Sequence, residues 1–124
     1  MDIKLYDAEL RLMEAVWDAG SIQAADLAKV MNEKTGWNKN TTYTVIKKLV
    51  AKGAIERVEP KFICRPLISR DGAQMAETEG LIEKLFAGSR KMFFASFLES
   101  GRLSKDELLE LKEMVDNLTE ESDE

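Results

Sequence analysis

Three amphipathic segments, each closed by a glycine, fill the first half of the chain and restrict the architectures open to it. Apolar residues recur at helical spacing ahead of Gly20, Gly36 and Gly53, and glycine tolerates the left-handed conformation found just past many helix ends. The pattern predicts three short helices joined by tight turns. Extended, β-branched sequence then surrounds Pro60 and predicts a small antiparallel hairpin, in which Pro66 lies at an edge or a strand end.

Each predicted helix begins near a residue suited to cap it. Asp7, Ser21 and Asn38 stand at the three starts, where short polar side chains can accept hydrogen bonds from free backbone N–H groups. Three helices and a hairpin within about 70 residues form the order of a winged-helix domain, whose third helix enters the major groove of DNA. The third helix is expected to turn five side chains inward: Thr42, Val45, Ile46, Leu49 and Val50.

Charge is divided unevenly along the chain, although its net value is −5. Residues 1–70 carry twelve Lys and Arg against nine Asp and Glu, whereas residues 71–124 carry six against fourteen. No acidic residue lies between Glu33 and Glu56, so the outer side of the third helix carries only lysines and uncharged groups. A local positive surface is what phosphate contacts require, and it favours binding to double-stranded DNA.

Beyond the hairpin the sequence becomes acidic and helical. We therefore predict a winged-helix domain at residues 1–69 and a helical region at residues 70–124. The last helix has a well-defined start, because Ser104 and Glu107 have the spacing of a capping box. The segment RKMFFASFLES carries more apolar surface than one short helix can bury, so we predict that the region dimerises; folding back onto the winged-helix half is the alternative.

Several classes of protein are disfavoured by what the sequence lacks. The chain has no histidine and no paired acid–base arrangement, which argues against an enzyme. Its one cysteine, Cys64, cannot form an internal disulfide or a multi-cysteine metal site; we expect a buried thiol, no metal and no cofactor. No apolar run long enough to span a bilayer and no signal peptide stand out, so we expect no membrane association and a cytoplasmic location.

Three stretches resemble a known family: WNKNTTYTVIKKLVAKGAIERV, FICRPLISRDG and LFAGSRKMFFASFLESGRLSKDELLELKEMVD. They are similar to the penicillinase-repressor family, which includes repressors of β-lactamase and methicillin-resistance operons, over residues 4–118. The resemblance implies a homodimer whose winged-helix half binds palindromic operators and whose C-terminal helices dimerise.

The same resemblance bears on how the repressor would be released. It implies a sensor protease as a partner, and the family's cleavage position matches Ser96-Phe97 here, where the family Asn is absent. Copper-responsive members carry C-terminal cysteine motifs, and these are absent as well.

The predicted DNA contacts divide by chemistry. Asn can pair with adenine and Thr offers a hydroxyl and a methyl to base edges, whereas Lys and Arg hold phosphates without reading sequence. The residues predicted to contact bases are Asn40, Thr41, Tyr43 and Thr44. The residues predicted to contact phosphates are Lys39, Lys47, Lys48, Lys52, Arg57, Lys61 and Arg65.

The sequence thus predicts a mostly α protein with a small β-hairpin, arranged as a winged helix-turn-helix domain followed by C-terminal dimerisation helices. The predicted function is a homodimeric transcriptional repressor that binds a palindromic operator. The alternative is a winged-helix adaptor that binds another protein without specific DNA binding. The residues predicted to form the dimer are Leu81, Leu85, Phe86, Met92, Phe93, Phe94, Phe97, Leu98, Leu108, Leu111, Val115 and Leu118.

Overall fold

The computed structural model describes residues 3–122, which are mostly helical with one small antiparallel sheet. This confirms the predicted fold class. The elements are α1 (Asp7–Ala19), β1 (Ile22–Gln23), α2 (Ala24–Thr35), α3 (Lys39–Lys52), β2 (Ile55–Val58), β3 (Ile63–Pro66), α4 (Arg70–Phe86), α5 (Arg90–Glu99) and α6 (Lys105–Ser122).

A first compact unit extends to Glu79 and surrounds one apolar core. Leu12 of α1, Leu27 of α2 and Leu49 of α3 have no exposed surface, which shows that all three helices meet there. Ala73 of α4 packs against the same core. Because α3 packs on α1 and α2 along one side only, its opposite side remains in solvent.

The sheet has three strands rather than the two predicted. Its order is β1-β3-β2, so β3 is the central strand and pairs antiparallel with both neighbours. β1 is only two residues long, and Ile22 pairs with Cys64 of β3. Pro66 ends β3, as predicted for a residue without a backbone N–H.

Two predicted helix caps are wrong. α1 begins at Asp7 itself, and Tyr6 occupies the cap position with its backbone N–H donating to Glu9 Oε1 at 2.9 Å. Ser21 precedes β1, and α2 starts at Ala24, two residues later than that cap requires. The reason is that residues 22 and 23 pair with β3 and delay the helix.

Cys64 is fully buried, as predicted, and desolvation raises the pKa of its thiol to about 11 from an ordinary 9.0. The unfolded chain therefore releases this proton at a lower pH than the folded chain. Stability that is present below pH 9.0 should be lost as the pH rises through 11, by about 2 kcal/mol. Urea unfolding of the wild type and of Cys64→Ala at both ends of this range measures the effect. Identical pH dependence in the two proteins would contradict it.

A second compact unit begins at Gly80, so the division between the units falls inside α4. The predicted boundary after residue 69 stays a prediction. In this unit the capping box at the start of α6 is confirmed. Ser104 N–H donates to Glu107 Oε1 at 3.0 Å, and Glu107 N–H donates to Ser104 Oγ at 3.1 Å.

Candidate nucleic-acid interface

The position of α3 is fixed at both ends. Asn38 Oδ1 accepts a hydrogen bond from Thr41 N–H at 2.8 Å, which confirms the predicted N-cap. Gly53 follows the last turn with a left-handed φ of 81°, as predicted. The side chains that α3 buries are Thr42, Val45, Ile46 and Leu49.

Burial of that side leaves the opposite side in solvent, and we call five of its exposed polar side chains the outer face of α3. Within residues 3–122, no carboxylate lies within ion-pair distance of Lys39, at the start of the helix, or of the two lysines on this face. The face therefore presents positive charge that no neighbouring acid neutralises. Its members are Asn40, Thr41, Thr44, Lys47 and Lys48.

The hydroxyl proton of Thr44 is already used in a hydrogen bond within α3. Its hydroxyl donates to the backbone carbonyl of Asn40 at 2.9 Å. The oxygen lone pairs and the methyl group remain for a ligand. Thr44 can thus accept a hydrogen bond from a base or touch a thymine methyl, which is the chemistry predicted for it.

Tyr43 differs from the other predicted base-contacting residues. It is half-buried and meets Phe62 edge to face, with ring centroids 5.8 Å apart and ring planes at 74°. Lys39 Nζ lies 5.7 Å from the Tyr43 ring centroid. Tyr43 is therefore on the flank of α3 that faces the hairpin, beside the outer face.

A groove of about 530 Å³ opens along the same flank, between α3 and the hairpin. Ile46, Val50 and Ala51 line it on the helix side, and Arg57 and Phe62 line it on the hairpin side. Val50 is 36% exposed, so the prediction that it turns into the core is wrong. The core of α3 is complete without it, because Ile46 and Leu49 already fill the space against α1 and α2.

Lys52 is held within the fold instead of projecting from it. Its Nζ lies 2.5 Å from Glu9 Oε1, donates to the carbonyl of Lys4 at 2.8 Å and sits 4.6 Å from the ring centroid of Tyr6. Glu9 is only 4% exposed, so the pair is shielded from water on the acid's side. This geometry does not favour the predicted phosphate contact for Lys52.

We call residues 55–66, which comprise β2, β3 and the turn between them, the wing. Arg57 pairs with Glu59, and Arg65 pairs with Glu56, so both arginines have acidic partners on the wing itself. Lys61 lies exposed at the tip of the turn, where its backbone carbonyl accepts from Gln23 Nε2 at 3.4 Å. Of the predicted wing cations, Lys61 is the best placed to meet a phosphate.

Two residues of this region were not predicted from the sequence. Glu9 shares the apolar stripe of α1 with Leu12, Met13 and Val16, and a carboxylate at such a position is a recognisable signal for a buried ion pair. Phe62 has no comparable local signal, since its role depends on a tyrosine that lies nineteen residues earlier.

The second compact unit exposes many apolar side chains, which we call the apolar set. The Phe86 and Phe93 ring centroids are 5.7 Å apart, those of Phe93 and Phe94 are 5.2 Å apart, and the first two rings are partly buried. The other members are 37–64% exposed. They are Leu81, Leu85, Met92, Phe94, Phe97, Leu98, Leu108, Leu111, Val115 and Leu118.

Across residues 3–122, the structure holds no group of three or more His, Cys, Asp or Glu side chains arranged to bind a metal ion. Over the same range, none of the helices combines the length and the apolar character needed to cross a membrane.

Comparison with known proteins gives one family over nearly the whole chain. A family model described as penicillinase repressor matches residues 5–117. The penicillinase repressor of Bacillus licheniformis is 24% identical over 115 residues, covering 91% of this chain and 90% of that protein. The methicillin resistance regulatory protein MecI of Staphylococcus aureus is 26% identical over 120 residues, covering 93% of this chain and 98% of that protein.

Two solved structures resemble the winged-helix part. The DNA-binding domain of the repressor BlaI superposes with a TM-score of 0.53 at 26% identity and covers 56% of this chain and 88% of that one. The monomeric form of Bacillus licheniformis BlaI in complex with the blaP half-operator gives a TM-score of 0.50 at 27% identity, covering 57% of this chain and 90% of that one.

Proposed function

This chain belongs to the penicillinase repressor family, and from that premise we propose that it is a homodimeric transcriptional repressor that binds a palindromic operator through α3. The observation that carries the proposal is the outer face of α3. There Lys47 and Lys48 stand exposed beside uncharged groups that can read bases, and no acidic residue in the described part of the chain pairs with them. A face of this kind, fixed on a buried core, suits the major groove of a duplex.

Within this proposal, the base-reading residues are Asn40, Thr41 and Thr44. All three are exposed on the first half of α3, and the N-terminal part of a recognition helix is the part that usually reaches base edges. Asn40 suits adenine, and the lone pairs and methyl of Thr44 suit a neighbouring base.

Phosphate contacts would come from the lysines around this face. We assign them to Lys39, Lys47 and Lys48 of α3 and to Lys61 of the wing, all of which are exposed. Arg57 and Arg65 would first have to leave Glu59 and Glu56, so their contribution to binding is expected to be smaller.

The homodimer is supported by the apolar set. Monomeric soluble proteins rarely leave so many neighbouring apolar side chains in water, and each Leu or Phe that a partner buries contributes about 1.5–3 kcal/mol. A relative has been solved in its monomeric form bound to a half-operator. A half-operator is one of two parts of a full site, as expected where each of two subunits binds one part. The cytoplasm, where operator DNA lies, is the proposed compartment.

Release by a sensor protease would meet a structural barrier. The bond between Ser96 and Phe97, which matches the family's cleavage position, lies inside α5. A protease needs extended backbone, so α5 would have to open locally before cleavage.

The proposed division between phosphate contacts and base contacts has a direct test. Replacing Lys47 and Lys48 together by alanine should weaken binding to every duplex on the order of 30-fold at physiological salt and lower the salt slope by about 2, because two phosphate contacts are lost. Asn40→Ala should instead weaken only the preferred duplex, by about 1–3 kcal/mol, and leave the salt slope unchanged. Fluorescence anisotropy over a salt series measures both quantities.

The preferred duplex is obtained by selecting with the wild-type chain from a randomised duplex library, and a shuffled duplex serves as the control. Lys112→Ala removes an exposed lysine of the second compact unit and should leave both the affinity and the salt slope unchanged. A wild-type chain that enriches no duplex, or a double lysine variant that binds as the wild type does, would overturn the proposed function.

A further inference from the structure

We propose that Tyr43 is a positioning residue, which holds the wing against α3 through Phe62 and does not itself read a base. The inference rests on the proposed function and deepens it. In this inference the contact between the Tyr43 and Phe62 rings sets the distance between α3 and the wing, the two elements that would touch DNA.

The contact belongs to a continuous stack that runs from the start of α3 to the wing. Lys39 Nζ lies 5.7 Å from the Tyr43 centroid, Tyr43 meets Phe62 edge to face at 5.8 Å, and the Arg57 guanidinium lies 3.7 Å over the Phe62 ring. Aromatic pairs favour this edge-to-face arrangement, and cations are attracted to ring faces. The stack therefore joins α3 to the wing through three successive contacts, each of which is attractive.

Phe62 is also held through its backbone. Its φ of 48° lies in the left-handed region. Residues other than glycine rarely adopt this backbone conformation, which costs them about 1–2 kcal/mol. Its carbonyl accepts a hydrogen bond from Ala24 N–H, at the start of α2, at 2.9 Å. A strained conformation persists where its surroundings fix it, and here three contacts, with Tyr43, Arg57 and Ala24, converge on one residue.

The first residues of β2 contact the end of α3, but beside the stack the flank between the helix and the wing is open. The groove of about 530 Å³ separates Val50 and Ala51 of the helix from Arg57 of the wing. With that flank open, the contact between Tyr43 and Phe62 is well placed to set how far the wing stands from the helix. It would thereby set whether Lys61 reaches a phosphate when the outer face of α3 lies in the groove of the duplex.

The location of Tyr43 also argues against base reading. Asn40, Thr44 and Lys47 are exposed on the outer face, whereas Tyr43 is half-buried and its ring is engaged by Phe62 and Lys39. Turning the ring toward a base would break both contacts and leave Phe62 without its partner on α3.

The first measurement uses the free protein and needs no DNA. In Tyr43→Phe the ring remains and only the hydroxyl is lost, so the order of the backbone amides of Glu59, Lys61 and Phe62, followed by ¹⁵N relaxation, should match the wild type. In Tyr43→Ala the same amides should become more mobile while circular dichroism shows the helices intact. Val50→Ala, which alters the same flank outside the stack, should leave the amides unchanged. Unchanged amides in Tyr43→Ala would overturn the proposal.

The second measurement uses the duplex that the wild type enriches from a randomised library. Tyr43→Phe should bind like the wild type, whereas Tyr43→Ala should bind about tenfold more weakly, as expected for the loss of one or two phosphate contacts. Lys61→Ala should lower the salt slope by about 1 in the wild type and by nothing further in Tyr43→Ala, because the wing would already be displaced.

The outcomes distinguish failure of the positioning role from failure of the proposed repressor function. If Tyr43→Phe loses as much affinity as Tyr43→Ala, the hydroxyl reads a base and the positioning role is wrong, although the repressor function stands. Equal effects of Lys61→Ala in the two backgrounds also overturn the positioning role alone. If the wild-type chain enriches no duplex, the proposed function falls and the inference falls with it.

Discussion

Replacing Phe94 and Val115 by glutamate should convert the proposed dimer to a monomer and lower the affinity for a two-fold operator by about 100-fold or more. Both side chains belong to the apolar set and are 59% exposed, so a charge at either position has little effect within one chain. Buried between two chains, the same charges would lose their hydration without gaining a partner. The affinity falls because two linked half-sites bind about 10²–10⁴-fold more tightly than one.

Sedimentation equilibrium and anisotropy on full and half operators measure the two effects. Asn117→Glu is the matched control, because it adds the same charge to an exposed position on the opposite side of α6 from Val115 and should leave the dimer intact. The double variant should bind a half operator as well as the wild type does. A variant that remains dimeric would show that the apolar set does not pair the subunits.

The second large effect is expected at Lys52, where replacement by methionine should destabilise the fold by about 3 kcal/mol. The substitution leaves the Glu9 carboxylate nearly closed to water and without its cation, while Glu9 Oε2 already lacks a hydrogen-bond partner among the described residues. Removing one member of a shielded ion pair costs more than the pair contributes, because the remaining charge stays desolvated. Urea denaturation measures the loss.

Two further variants isolate the cause. Lys48→Met removes a lysine one turn earlier on α3 that has no ion pair in the described part of the chain, and it should change stability by no more than about 0.5 kcal/mol. Glu9→Leu combined with Lys52→Met replaces both charges by apolar groups and should recover most of the loss. If Lys52→Met instead keeps full stability and weakens DNA binding, the phosphate contact predicted from the sequence is the correct role.

The parts of the fold that the sequence predicted well are those encoded by neighbouring residues. Asn38, Gly53 and the Ser104 capping box lie where the local pattern put them, because the groups that satisfy a helix end are within four residues of it. The outer face of α3 was predictable for the same reason. Helical periodicity decides which side is buried, and the charges on the other side can be read directly.

The parts that were missed depend on residues far apart in the chain. Lys52 looks like any surface lysine until Glu9, which lies 43 positions earlier, is placed beside it. The contact of Tyr43 with Phe62 likewise joins residues nineteen positions apart, so no local pattern could reveal it. β1 is too short to show alternation, and only pairing with β3 makes it a strand, which also explains why Ser21 does not cap α2.

The pairing of Ile22 and Gln23 with β3 has a consequence for how the chain tolerates insertions and deletions. Both neighbours of β3 are in place, so a change in chain length is expected to be absorbed only at residues 59–61, ahead of Phe62, where no strand pairing and none of the contacts of Phe62 is lost. One extra residue at Gly20 or Ser21 would shift β1 by one position and turn its side chains to the opposite surface of the sheet. Loop grafting on this scaffold should therefore be confined to the tip of the wing.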